Sequence, residues 1–176
     1  METKSVVTRL TGNNEWMTPI RFIEMARQVM GSIDTDPASN EIAQKNIKAP
    51  TYYTQFDDGL SQQWLGNVWL NPPYSRGMMN KFSAKLLEEL RSGNATNAIM
   101  LTSAATDTKW FHSLAKASKA YCLTSGRIKF IQPNGNEGKS PPHGHAFFYF
   151  GNNLSAFRTV FSSVGLVSEP KPISFL

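Results

Sequence analysis

The stretch NVWLNPPYSRG, Asn67 to Gly77, passes from an apolar Val-Trp-Leu run directly into an amide, two prolines and a tyrosine. Proline lacks an N–H and fixes its own φ, and it pushes the residue before it towards extended geometry. Asn71 and Pro72 each precede a proline, so both are held extended just beyond a strand end. The prolines offer no main-chain donor there. What the corner presents is a pair of acceptors, the Asn71 side-chain oxygen and the Pro72 carbonyl, beside the flat ring of Tyr74. Such a corner suits a planar group that carries an amino group; the bland alternative is a rigid turn.

Working outward, the spacing of Phe22, Ile23, Ala26, Val29 and Met30 predicts an amphipathic helix over 19–30, with Thr18 as N-cap, Pro19 as first residue and Gly31 as stop. Ile33 to Asp36 reads as a short strand, 40–48 as a short helix, TYYTQF (51–56) as a second strand and Asn67 to Leu70 as a third. Helices are expected at 77–91, at 107–118 opened by Thr106 or Asp107, and at 154–163. AIMLT (98–102), AYCLT (120–124) and RIKFI (127–131) read as further strands, the last two meeting at Ser125-Gly126. A Gly/Pro/Asn-rich loop spans 132–144. Strands alternating with helices predict an α/β fold. Its sheet is expected to be mostly parallel, covered on both faces, with an antiparallel hairpin near the C-terminus. Ligands of such sheets collect beyond the carboxyl ends of the strands. The polar clusters DTDPASN, DDGL and NPPY fall at three of those ends.

The 176 residues fit one domain, taken as 15–176, preceded by a polar, aperiodic arm over 1–14. No apolar run approaches the length of a membrane span, and the start lacks the apolar core of a signal peptide. A single cysteine, Cys122, sits in an apolar strand-like run and fits a buried thiol in a reducing cytoplasm. Residues 1–74 carry six Lys/Arg against eight Asp/Glu, whereas 75–176 carry twelve against five. That split fits a basic face for a polyanion on the second half, and equally a solvated basic surface. Three histidines and one distant cysteine assemble no metal-ligand set, so no metal is expected.

EWMTP (15–19), IDTDPAS (33–39), YYTQFDDGLSQQW (52–64), VWLNPPYSR (68–76), TDTKWF (106–111) and GRIKF (126–130) occur in that order. With these segments the chain resembles the DNA N6-adenine methyltransferases, and most of all the small Dam-type enzymes of bacteriophages and prophages. The resemblance runs from about Glu15 to Phe150. It implies a Rossmann-like methyltransferase fold, S-adenosylmethionine as methyl donor with S-adenosylhomocysteine as product, and a target adenine flipped out of double-stranded DNA. The expected compartment is then the cytoplasm of a bacterial host. Nothing in the sequence bears on oligomeric state.

On that resemblance Asn71, Pro72, Pro73 and Tyr74 are the catalytic tetrad. The N6 amine is a poor nucleophile because its lone pair is delocalised into the ring. Two acceptors, one for each N6 hydrogen, favour a more tetrahedral nitrogen, while Tyr74 stacks on the base. For the donor, the acids Asp34, Asp36 and Asp58, with Pro37, are candidates, since a strand-end carboxylate accepts from ribose hydroxyls, an adenine amine or the methionine ammonium. Each acid also has a reading as a turn or cap residue. DTDPASN lacks the glycine-rich turn common in the wider class, so ribose and methionine contacts stay unassigned; Asp58 is the preferred adenine-side acid. Trp16, Thr18 and Pro19 are implied at the methionine end. Ser75, Arg76, Lys109, Arg127, Lys129 and Lys139 are candidate DNA contacts, with Asn134 or Asn136 on a hairpin arm able to reach base edges. The TDTKWF loop either borders the base pocket or simply caps a helix.

Two other functions share these residues. The same tetrad serves methylation of a protein glutamine, and RNA adenine offers the same amine. A catalytically inactive nucleic-acid-binding relative has no use for the acceptor pair. Hydride chemistry lacks its GxGxxG turn.

Overall fold

The computed structural model describes residues 16–170. The expected arm over 1–14 and Glu15 of EWMTP lie outside them.

Thirteen regular elements follow one another along the described chain. Helix α1 (Ile20–Met30) leads to β1 (Thr35–Asp36), α2 (Glu41–Ile47), β2 (Thr51–Tyr52) and a 3-10 turn (Gly59–Ser61). Then come β3 (Gly66–Leu70), α3 (Met78–Ser92), β4 (Ala95–Ser103), α4 (Lys109–Ala117), β5 (Ala120–Thr124), β6 (His145–Phe150), α5 (Leu154–Phe161) and β7 (Gly165–Ser168). The strands form one sheet in the order β2-β1-β3-β4-β6-β5-β7. Pairs among β2, β1, β3 and β4 are parallel, and β4–β6, β6–β5 and β5–β7 are antiparallel.

The sheet is therefore mixed, not mostly parallel. Two reversed strands cause this: β6, inserted between β4 and β5, and β7, which runs against β5 at the sheet's edge. β6, HAFFYF, is buried at all six positions. Such a strand, covered on both faces, outcompetes RIKFI for the place beside β5. RIKFI is not a strand: after Gly126 the chain is irregular until Ile131, which forms isolated bridges to Met17 and Glu137. TYYTQF is strand only at Thr51–Tyr52, and β7 was not expected at all.

Period-2 alternation divides the core into two faces. Trp69, Ile99, Leu101, Phe147 and Tyr149 point to the side packed by α1 and α5, where Phe22, Ile23, Phe157 and Phe161 meet them. Val68, Leu70, Ala98, Met100 and Phe148 point to the side packed by α3 and α4, through Phe82, Leu86, Phe111 and Leu114. Aromatic stacking ties the first face together, with Tyr149 on Phe157 at 5.0 Å and Phe157 on Phe161 at 4.4 Å between centroids. Cys122 is buried among them, which holds its thiol up at about 12, far from thiolate chemistry.

Caps account for several helix starts. Asn40 accepts from Ala43 N at 2.8 Å, and Asn153 from Ala156 N at 3.3 Å. Thr108, rather than Thr106 or Asp107, caps α4. At α1 the expected cap is displaced by one residue. Pro19 itself takes the cap position without a side-chain bond, and Thr18 turns elsewhere.

Candidate active site

One cleft of about 1250 Å³ opens at the carboxyl ends of β1 and β3. That volume exceeds the 300–1,000 Å³ or so of a site for one small molecule, and leaves room for two adjoining groups. Its lining includes Trp16, Thr18, Asp36, Pro37, Asp58, the whole of Asn71–Ser75, Phe130, Lys139 and His145.

The corner after β3 sits deepest. Pro72 is buried and Tyr74 is 40% exposed, with its ring 6.3 Å from Phe130 and 6.1 Å from His145. Asn71 Nδ2 donates to Thr18 Oγ1 at 3.1 Å. That bond fixes the amide so that its oxygen is the free end. Asn71 Oδ1 is buried and has no hydrogen-bond partner. An amide oxygen left so costs about 1–3 kcal/mol, which makes it a strong acceptor for any donor that enters. Thr18 is thus the orienting partner of Asn71, a role the helix-cap reading missed.

The two acids of DTDP part company. Asp34 does not reach the cleft. Its carboxylate accepts from Asn67 N and from Ser32 Oγ, both at 2.8 Å, and so braces the start of β3 against β1. Gly66, at φ +72°, leaves space for that carboxylate, because a Cβ there would collide with Asp34 Oδ2. Asp36, two residues on, lines the cleft and is 1% exposed. Gln44 Nε2 donates to it at 3.0 Å and Ala38 N at 3.4 Å. Desolvation outweighs these bonds and pushes its carboxyl up to about 7. A cationic or hydroxyl-bearing ligand group would relieve that burial penalty.

Asp58 lines the rim, exposed and in the left-handed region at φ 49°. Its loop is locked from below. Trp64 Nε1 donates to Gly59 O at 2.7 Å, and Gly59 packs against the Pro37 carbonyl so closely that no Cβ would fit. The same rim carries Phe56, 89% exposed. An aromatic ring held in water at a cleft mouth is placed to stack on a planar ligand, and sequence reading passed it over. Its signal was only an aromatic directly before DDGL.

Of the other expected residues, Trp16 lines the cleft and packs on Gly138, while Pro19 lies just outside the lining. Ser75 and Lys139 line it; Arg76, Lys109, Arg127 and Lys129 do not and are solvent-exposed. TDTKWF does not border the cleft: Thr108 caps α4, and Phe111 packs into the opposite core face. The segment 130–138 closes into a small hairpin. Gly135 N donates to Gln132 O and Gln132 N to Asn136 O, both at 2.8 Å, with Gly135 at φ +86° as the bulge residue. Lys129 pairs with Glu137 at 3.5 Å beside it. Asn134 Oδ1 is engaged by Asn136 N at 3.0 Å. Among the described residues no group of three or more His, Cys, Asp or Glu could hold a metal ion, and no helix is long and apolar enough to cross a membrane.

The α/β sheet thus sets a buried acid, Asp36, at the end of β1 and a proline-stiffened acceptor corner at the end of β3, both lining one cleft. The family model for DNA N-6-adenine-methyltransferase (Dam) matches residues 6–169, and the chain belongs to that family. A relative from Escherichia phage T1, named DNA N-6-adenine-methyltransferase, is 35% identical over 98 residues. That match takes in 54% of this chain and 38% of the phage protein's length.

Proposed function

We propose that the protein methylates adenine N6 in double-stranded DNA, using S-adenosylmethionine and acting on a base flipped out of the helix in the cytoplasm of a bacterial host. The observation that carries this reading is the buried, partnerless Asn71 Oδ1 next to the Pro72 carbonyl, inside a cleft large enough for donor and base together. Family membership supplies the adenine and the DNA.

The cleft fits the donor. Asp36, once ionised, and Asp58 both line it and can accept from the donor's hydroxyl, amino or ammonium groups, and Phe56 offers a stacking face. When bound, S-adenosylmethionine supplies an electrophilic methyl group on a sulfonium. The chain's own residues do the rest. Thr18 holds the Asn71 amide with its oxygen inward; Asn71 Oδ1 and Pro72 O each accept a hydrogen bond from one N6 hydrogen, the nitrogen loses conjugation with the ring and its lone pair becomes available, and the one proton shed on methylation leaves to water. Tyr74 covers one face of the base. Contacts with phosphates are supported by Lys139, which lines the cleft, and by the exposed cations Arg76, Arg127 and Lys129.

Tritiated-methyl transfer onto duplex DNA, RNA and protein tests the reading. Label recovered as N6-methyladenine from duplex DNA is expected; label in protein or RNA alone overturns it.

A further inference from the structure

Among the described residues, three buried side-chain polar atoms have no hydrogen-bond partner: Asn71 Oδ1 and both ring nitrogens of His145. All three belong to residues lining one cleft. Since nearly all buried polar atoms in folded proteins are paired, their coincidence points to a ligand that satisfies them together.

The sheet explains why the two residues cooperate. Asn71 follows Leu70, which pairs with Met100, and His145 pairs with Ser103; they therefore flank β4 at its carboxyl end. By alternation Asn71 shares the face of Trp69, and His145 that of Phe147, and these belong to the same core cluster. Two strand spacings, about 10 Å, separate their backbones laterally. That is a gap a purine can fill when it is hydrogen-bonded from both sides. The imidazole is 1% exposed and walled by Tyr74 and by Phe130, the latter at 5.2 Å between centroids. Burial, and after it the neighbouring His143 and Arg127, push it down to about 4, so it is neutral near pH 7. A neutral imidazole has one N–H to give and one lone pair to offer.

We infer that His145 reads the target base, donating its ring N–H to the ring-nitrogen acceptor beside the amine that Asn71 and Pro72 hold. Adenine carries such an acceptor on either side of N6, N1 and N7; cytosine carries one beside its own amine. A donor aimed at N7 would therefore also exclude cytosine from the pocket. This assignment rests on the adenine-methylating reading above and gives the histidine a purpose that metal binding does not.

The test uses the full-length protein and duplexes containing adenine, 1-deazaadenine or 7-deazaadenine at the methylated position, with kcat/KM, duplex Kd and donor Kd measured separately. For the native protein, one analogue is expected to lose about tenfold or more in kcat/KM, the effect of one missing hydrogen bond, and the other little. His145→Phe is expected to lose a similar factor on adenine and to treat adenine and that analogue alike, with donor Kd unchanged within about threefold. His145→Gln, which keeps an N–H, is expected to recover part of the loss. If both analogues serve the native protein as well as adenine does, the inference is overturned, whether or not the variants fold. Equal discrimination by native and variant proteins overturns it too. Failure of the native protein to label adenine in any duplex would instead overturn the underlying reading, and the two failures are distinguishable.

Discussion

The corner after β3 and the rim at residues 54–59 line the same cleft, yet they are built by opposite rules. At the corner one polar atom, Asn71 Oδ1, is buried on a segment stiffened by two prolines, its amide held by the Thr18 bond and its oxygen left without a partner. At the rim Asp58 and Phe56 stand in water on a loop pinned from beneath by Trp64 and Gly59. A buried acceptor that meets its donor only in the reacting complex raises turnover. An exposed acid and ring that meet a ligand on arrival raise affinity. On the proposed function, the difference teaches that one cleft divides the two tasks between its floor and its mouth.

Substitutions can break that division. The largest effect is expected at the floor: Asn71→Ala lowers turnover about 10²- to 10³-fold, as loss of an oriented polar contact in a dry site does, with donor Kd within about threefold. Steady-state kinetics and calorimetric titration of the donor check it, and a lost donor site would merge floor and mouth. Thr18→Val comes next. Freed of its anchor, the Asn71 amide can rotate, and kcat falls about tenfold, the effect of one hydrogen bond; Thr18→Ser restores it. If Thr18→Val weakens donor binding and spares kcat, the hydroxyl belongs to the donor. At the mouth, Asp58→Ala and Phe56→Ala each raise donor Kd about three- to tenfold and leave kcat at saturating donor unchanged.

The smallest effect concerns pH. Asp36 ionises at 3.8 when exposed and at about 7 when folded. Between those values the folded chain keeps a proton that the unfolded chain has lost, so its contribution to stability is full below pH 3.8 and declines until about pH 7. Asp36→Asn removes this slope from urea-midpoint measurements across the window. A cationic group bound at Asp36 favours the ionised form, so donor binding near pH 6 releases a proton. Calorimetry in two buffers of different ionisation enthalpy detects it, and Asp36→Asn abolishes it.

Much of this was legible in the sequence because the site rides on short-range rules. Proline restriction placed Asn71 just past a strand, and helical spacing found all five helices to within two residues or so at their ends. What escaped depends on long-range choices. RIKFI has a strand's composition, but pairing beside β5 went to the more apolar HAFFYF, and no local signal ranks two such competitors. Strand β7 is a four-residue edge with Leu166 68% exposed, too short and too wet to announce itself. Asp34 and Asp36 look equivalent in DTDP; only the pairing of β1 with β3 sends one to brace Asn67 and the other to the cleft. His145 escapes for the same reason: nothing local tells that the first residue of HAFFYF is buried across β4 from Asn71.

The floor's acceptor pair is the claim on which the rest stands, and a crystal structure with S-adenosylmethionine bound tests it most directly. The transferable methyl group is predicted to face the space beside Asn71 Oδ1 and the Pro72 carbonyl, with Thr18 still holding the amide. A donor bound with its methyl group turned away from that corner, or an Asn71 oxygen rotated into the protein, would contradict the account.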